Sequence, residues 1–517
     1  MSTTNNFEKH PPPFIINGNN KVCDENIEEK NLEKSKKKTG LGWFVACLFV
    51  VSDMAGGGLV ALPTAMIQAG FWTGILLSFL MTLIFMFTSK ALGRNWVILR
   101  RRWPVYQKHC RQPYPEIGRR AMGKWMGNVV SICVDINQFG TTVVYLLLSA
   151  KNIHDTLKSL FDANISFCVL LVILAICLLP ITFFEFPTRF LVSCCGCCYY
   201  NIFVILICIG SLLDFGECRQ HHSIPEFRIT NFFLAVGTLL FAYGGHPAFP
   251  TIQNDMRKPE DFEKSSLLSF SILFCMYTPV CIIGYMTYGN SLRESVINSL
   301  QHVWIQQIVN LMITLHLIFT IIIVNNPLNQ KVEEVFNIPH DFGWKRVVVR
   351  TGMMILVLFV AETVPSFGPL LDLMGGSVLM LCSLVFPSLF YLFLNAAEIK
   401  SNEKPIKYKT QGEEGEEENW EIANWKDVVE RTDKLTLFGY ILLLVIFGIC
   451  GGLAATYSAI RSLSVTHFVP PCYLSSIANG KEPNAGGHVN CCGKYQNISV
   501  FGLQEEYCSP SNLDFYN

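Results

Sequence analysis

Eleven long apolar stretches run through this chain, near residues 42–69, 71–93, 128–150, 167–184, 190–214, 230–252, 265–288, 302–326, 346–364, 369–394 and 435–460. A helix needs about 17 to 25 mostly apolar residues to cross a hydrocarbon core of roughly 30 Å. At that depth no water is present to satisfy peptide groups, so spanning segments close their hydrogen bonds internally. The expected fold is therefore all-α and polytopic. Composition agrees: 51% of residues are hydrophobic, 15% are charged and mean hydropathy is +0.35, whereas soluble domains carry about a quarter charged residues. A formal net charge of +0 supplies no global field for nucleic acid. The partners expected are the lipid bilayer and a small molecule, and the sequence leaves the oligomeric state undetermined.

The positive-inside rule orients the spans. With the amino terminus in the cytosol, 32 of the 40 Lys and Arg residues fall on the cytosolic side, most densely between Lys90 and Lys124. No cleavable signal precedes the first span. Residues 1–39, polar and ending in a basic run, read as a disordered cytosolic tail. Residues 396–433, with the acidic run Glu413 to Glu418, read as a solvated cytosolic loop before an eleventh helix at 434–460. An odd number of spans sends residues 461–517 to the extracellular or lumenal side. Two sequons, at Asn164 and Asn497, fall on outer segments, although Asn164 abuts the fourth span. Cys218, Cys472, Cys491, Cys492 and Cys508 also face that oxidising side and are disulfide candidates; five is odd, so one stays free or pairs unexpectedly. The cluster Cys194, Cys195, Cys197 and Cys198 at the inner end of the fifth span reads as small apolar packing.

A short internal repeat then singles out two spans. Gly57 to Thr64 in the first span and Gly244 to Thr251 in the sixth coincide at five of eight positions: Gly, Gly, Ala, Pro and Thr. Residues 40–395 thus read as two five-helix halves, about 40–215 and 229–395, inverted because an odd number of spans per half reverses entry. Paired interrupted helices in corresponding halves point to a substrate site of a secondary transporter at the bilayer midplane. At Gly56, Gly57 and Gly58, and again at Gly244 and Gly245, backbone can approach a ligand with no side chain between. Exposed N–H groups suit a carboxylate and exposed carbonyls suit an ammonium group or a small cation. The substrate expected is an amino acid or similar zwitterion. A proline-kinked helix packed against neighbours accounts for one such break but poorly for two in register.

Asp53 stands immediately before the first break. An ionised side chain at mid-membrane costs about 2.5–3.5 kcal/mol on the gentlest scale, so Asp53 is a candidate to pair with a substrate ammonium or carry a coupled proton; a carboxyl bonded to unwound backbone is the structural alternative. Asp135, Gln138, Thr142 and Tyr145 recur on one face of the third span, and His316 and Thr320 share a face of the eighth. Tyr243 and His246 flank the glycines of the sixth break. Each is a candidate lining residue, and each has an ordinary packing role as the alternative.

At these residues the sequence resembles the amino acid/auxin permease family, within the amino acid, polyamine and organocation superfamily with its LeuT-like fold. The carriers are GGGLVALPTAMIQAG from Gly56, PYPEIGRRAMGKWMG from Pro113, FAYGGHPAFPTIQNDMRKP from Phe241 and VPSFGPLLDLMGG from Val364. The resemblance implies a substrate held between the first, third, sixth and eighth helices and driven by protons or Na+. Relatives that use Na+ commonly place an asparagine where this chain has Ser52, four residues before Gly56; their eighth-helix threonine matches Thr320. With half that pair altered and Asp53 added, the expectation is proton coupling, in a branch resembling vesicular, vacuolar and proton-coupled carriers. The site residues expected are Ser52, Asp53, Gly56, Gly57, Gly58, Tyr145, Tyr243, Gly244, Gly245 and His246 for substrate, and Asp53 and Thr320 for the coupling ion, with no metal or cofactor. Na+ coupling and a non-transporting sensor on the same scaffold are the alternatives. No HExxH, GxSxG or P-loop pattern favours an enzyme, and the span count excludes a seven-helix receptor.

Overall fold

The computed structural model describes residues 40–517 apart from 108–109, 164, 184–187, 340–342, 404–420, 467, 476–488 and 517; side chains of 188–199 are also outside it. The amino-terminal tail, the acidic run, the sequon at Asn164 and the Cys194 to Cys198 side chains therefore lie outside the described residues. Among those described, structure is helical with only isolated β-bridges.

All eleven apolar stretches are helical. The first is α1 (Trp43–Met54) plus α2 (Gly57–Ala69), two half-helices bent by 60°. There follow α3 (Phe71–Arg102), a short α4 (Pro113–Met122), α5 (Lys124–Phe161), α6 (Phe167–Thr182) and α7 (Thr188–Gln220). The sixth span is also split, into α8 (Ile229–Ala242) and α9 (Phe249–Asn254). The rest are α10 (Phe262–Tyr288), α11 (Val303–Val335), α12 (Trp344–Thr363), α13 (Phe367–Glu403), α14 (Trp425–Arg431) and α15 (Lys434–Val465). Seven described helices are by themselves long and apolar enough to cross a membrane, and the α1–α2 pair makes an eighth. The α6 and α8 helices are shorter but apolar.

The apolar surface faces outward as well as inward. On α3, Trp72, Leu76, Phe79, Leu83 and Phe87 are exposed, and only 22% of the apolar window of α15 is buried. Such a surface would aggregate in water and is at home in lipid. Within the bundle, association depends on close packing rather than on expulsion of water. Glycines mark the closest crossing: a methyl on Gly237 of α8 would lie 2.7 Å from the Asp372 carbonyl oxygen of α13, and one on Gly376 would lie 2.8 Å from the Ala455 Cβ of α15. At this crossing α13 widens into π-helical turns at Gly375–Leu379 and Leu381–Val385.

Two segments differ from expectation. Within 396–433, α13 runs on to Glu403, and α14 is a capped helix: Asn424 Oδ1 accepts from Asp427 N, while Asp427 Oδ2 accepts from Asn424 N. Lys400 and Arg431 tie α14 to α13 through Asp427 and Glu403. The acidic composition obscured an Asn-x-x-Asp capping box. Second, the unpaired fifth cysteine has a partner that lay concealed at the end of the fourth span. Cys168 pairs with Cys472, Cys218 with Cys492 and Cys491 with Cys508. The first two bridges hold the tail against the bundle and the third closes a loop within it, and Asn497 is exposed on the tail.

Candidate functional site

The two breaks lie against each other. After Met54 the helical ladder lapses, with Gly56 N donating to Met54 O, before α2 resumes at Gly57; after Ala242 the chain passes through Tyr243–Ala248 before α9. A methyl on Gly58 would stand 2.6 Å from the Ala242 Cα, and one on Gly245 would stand 2.6 Å from the Met54 Cγ and 3.0 Å from an Asp53 carboxyl oxygen. Only glycine admits this approach. The buried Tyr277 hydroxyl on α10 bridges the ends of both first half-helices, 3.1 Å from Met54 O and 3.1 Å from Ala242 O. Carbonyls orphaned at those helix ends are thus partly satisfied by one shared donor.

Beside the breaks is a cavity of about 530 Å³. Ser52, Asp53, Tyr145, Gly244, Gly245, His316 and Thr320 line it, as do Asp135 and Gln138 of the third-span stripe. Gly56 and Gly57 are set behind Tyr145: a methyl on Gly56 would lie 2.8 Å from its hydroxyl and one on Gly57 3.1 Å from its ring, and the Gly57 backbone is hydrogen-bonded to it. These glycines seat the tyrosine, and Gly58 serves the helix crossing. His316 Nε2 and Thr320 Oγ1 are 3.0 Å apart, with the Thr320 hydroxyl also 2.9 Å from His316 O; the His316 ring meets Tyr200 edge-on. The cavity extends to Cys110–Pro115, leading into the first turn of α4, and to Gln330 and Lys331 near the end of α11. It therefore opens beside the basic Lys90 to Lys124 segment, on the face opposite the disulfide-held tail.

Three expected lining residues point elsewhere. His246 is fully buried, its Nε2 3.0 Å from Thr88 Oγ1, among Phe85, Phe249 and Phe270. In an unwound segment successive side chains diverge, so Gly245 presents backbone toward Asp53 while the next residue turns into the protein. Tyr243 is likewise buried, its hydroxyl accepting from Thr82 at 3.0 Å and 3.3 Å from Ser78 Oγ. Thr142 back-bonds to Gln138 O, and Thr141 lines the cavity instead. Sequence reasoning missed Tyr277, Pro247, Ala248 and Thr251. The last three follow the glycines inside the repeat already aligned, so the signal existed; an aromatic in an ordinary apolar span gives none for Tyr277.

Paired half-helices meeting over a polar cavity in a helical bundle define a polytopic membrane protein with a LeuT-like fold, two inverted five-helix halves and an eleventh helix. The fold is similar to that of a mutant manganese transporter from Eremococcus coleocola, with a TM-score of 0.52 at 12% identity, covering 84% of this chain and 90% of that one.

The chain belongs to the family described as transmembrane amino acid transporter protein, whose pattern matches residues 39–411. Among relatives, amino acid transporter AVT1B of Arabidopsis thaliana is 26% identical over 67% of this chain, which spans 64% of that protein. Amino acid transporter AVT1I of the same plant is 22% identical over 84% of this chain and 99% of its own length. The family is that of amino acid transporters, not enzymes.

Proposed function

We propose that this chain carries an amino acid across its membrane by alternating access, coupled to protons, with the substrate bound where the two breaks meet. The observation that carries this reading is the approach of Asp53 to the Gly245 backbone beside the cavity. The substrate ammonium faces Asp53 and the carbonyls left by unwinding. The carboxylate faces the Tyr145 hydroxyl, which covers the amino-terminal end of α2 and is hydrogen-bonded to the Gly57 backbone there. Tyr145 and Gln138 extend the polar wall from α5.

Proton coupling is favoured over Na+ by three features. Thr320 already bonds to its own helix and to His316, and Ser52 supplies a hydroxyl where the sodium pattern has an amide. Asp53 is an acid that protonation neutralises, which lowers the cost of moving it between open and closed arrangements. We place the cavity mouth in the cytosol and the tail outside or in the lumen of a vesicle-, lysosome- or vacuole-like compartment, with an N-glycan on Asn497. The test is reconstitution of Asp53→Asn. It should still exchange substrate between equal proton potentials, at a raised half-saturating concentration because the ammonium loses its counter-charge, but lose gradient-driven accumulation, by roughly the tenfold expected for about 1.4 kcal/mol or more of lost driving interaction. Undiminished accumulation by the variant would remove Asp53 from the coupling step.

A further inference from the structure

The tail sits over the face opposite the cavity mouth, and its last described turn enters the bundle. Asn490 N donates to Asn298 O at 2.7 Å and Lys494 N donates to His221 O at 2.9 Å, laying the chain across the ends of the helices. Gln496 fixes Asn512 from both sides, Nε2 donating to Asn512 O at 3.1 Å and Oε1 accepting from Asn512 N at 2.7 Å. Arg293, between α10 and α11, donates to Asn512 O at 2.7 Å and lies 4.9 Å over the Phe515 ring.

Tyr516 goes deepest, with 5% of its surface exposed. Its hydroxyl donates to Leu292 O at 2.9 Å and is also hydrogen-bonded to the Thr64 side chain, and its carbonyl accepts from Asn231 Nδ2 at 2.7 Å. Thr64 belongs to α2, Asn231 to the first turn of α8, and Leu292 to the connection between α10 and α11. α2 and α8 are the halves of the broken spans that lead from the site toward this face. Any passage from the breaks to this side has to part these three elements, and one tyrosine is bonded to all of them.

We infer that Asn512–Tyr516 is a tethered plug that keeps the side opposite the cavity closed, and that opening to that side requires its withdrawal. This rests on the alternating access proposed above. The bridges Cys491–Cys508 and Cys218–Cys492 hold the segment near its seat when withdrawn, so reseating is intramolecular and fast to compete with any partner. The segment lies outside residues 39–411, the part of the chain that matches the family's pattern.

The experiment compares the full chain with Tyr516→Ala and Tyr516→Phe in proteoliposomes, by two readouts. Hydrogen exchange without substrate at residues 229–240 and 292–299 should accelerate, most in Tyr516→Ala. The amino acid concentration giving half-maximal binding from the tail side should fall about fivefold, the worth of one hydrogen bond, because more molecules are open to that side. Tyr516→Phe keeps the ring, and carries the test if Tyr516→Ala does not fold. Faster exchange supports the plug even where no amino acid is transported. Exchange and half-saturation unchanged in both variants would overturn it.

Discussion

A single phenol hydroxyl, that of Tyr277, holds the ends of both first half-helices through Met54 O and Ala242 O. Tyr277→Phe takes the hydroxyl donor from Ala242 O and leaves Met54 O with the Gly56 N–H, costing about 1–3 kcal/mol. Transport by that variant should fall about tenfold or more with surface expression unchanged, measured as initial uptake per molecule. Gly58→Val should be harsher, because its branches would fall on the Ala242 backbone of the opposite half; neither half-helix can shift without opening the site, and loss of both uptake and folded yield is expected by size-exclusion profile. Residues of this kind show how far sequence carries. Asp53 could be picked out because an acid at mid-membrane needs a reason, and it does line the cavity; the two breaks could be picked out because their glycines matched. His246 was misread because a broken helix has no period from which to derive side-chain direction. Tyr277 left no trace, since its role depends on a contact between distant spans.

At the scale of elements, helices are joined by buried charge as well as by glycine. Glu333 near the end of α11 accepts from Arg350 Nε at 2.6 Å and faces Arg346 Nε at 3.2 Å, and Arg350 also donates to Thr182 O at the end of α6. All three charged side chains are buried. Both arginines fall at the start of the ninth apolar stretch, 346–364, and the sequence named no partner for them, since hydropathy cannot pair a charge with one on another helix. Glu333→Gln takes the facing negative charge from two buried guanidinium groups, and should destabilise the fold by about 3–5 kcal/mol, seen as a lowered Tm in detergent. The α14 helix responds to pH in a defined direction. Hydrogen bonds from the Asn424 backbone and then from Lys400 hold the Asp427 carboxyl below its usual value of 3.8. Because its folded pKa is the lower one, its support is complete above that value and is lost as pH falls through the depressed pKa. Hydrogen-exchange protection of residues 425–431 should be level from neutral pH to about pH 5 and fail in stronger acid, and Asp427→Asn should be unprotected throughout.

The molecule as a whole was legible in outline: eleven spans, two halves, and a split helix in each. What sequence withheld was the state in which those parts are arranged. The cavity reaches Cys110–Pro115 and Lys331 on one face, while Thr64, Arg293 and the tail close the other. Such closure joins residues more than two hundred positions apart, which neither periodicity nor composition encodes. The account rests on an amino acid being drawn through the paired breaks by a proton gradient. The most direct measurement is accumulation of a panel of radiolabelled amino acids by proteoliposomes under imposed pH and Na+ gradients, applied separately. We expect at least one amino acid to accumulate under the pH gradient alone, with no gain from Na+. Accumulation driven by Na+ at uniform pH, or no amino acid moved under either gradient by a well-folded protein, would contradict it.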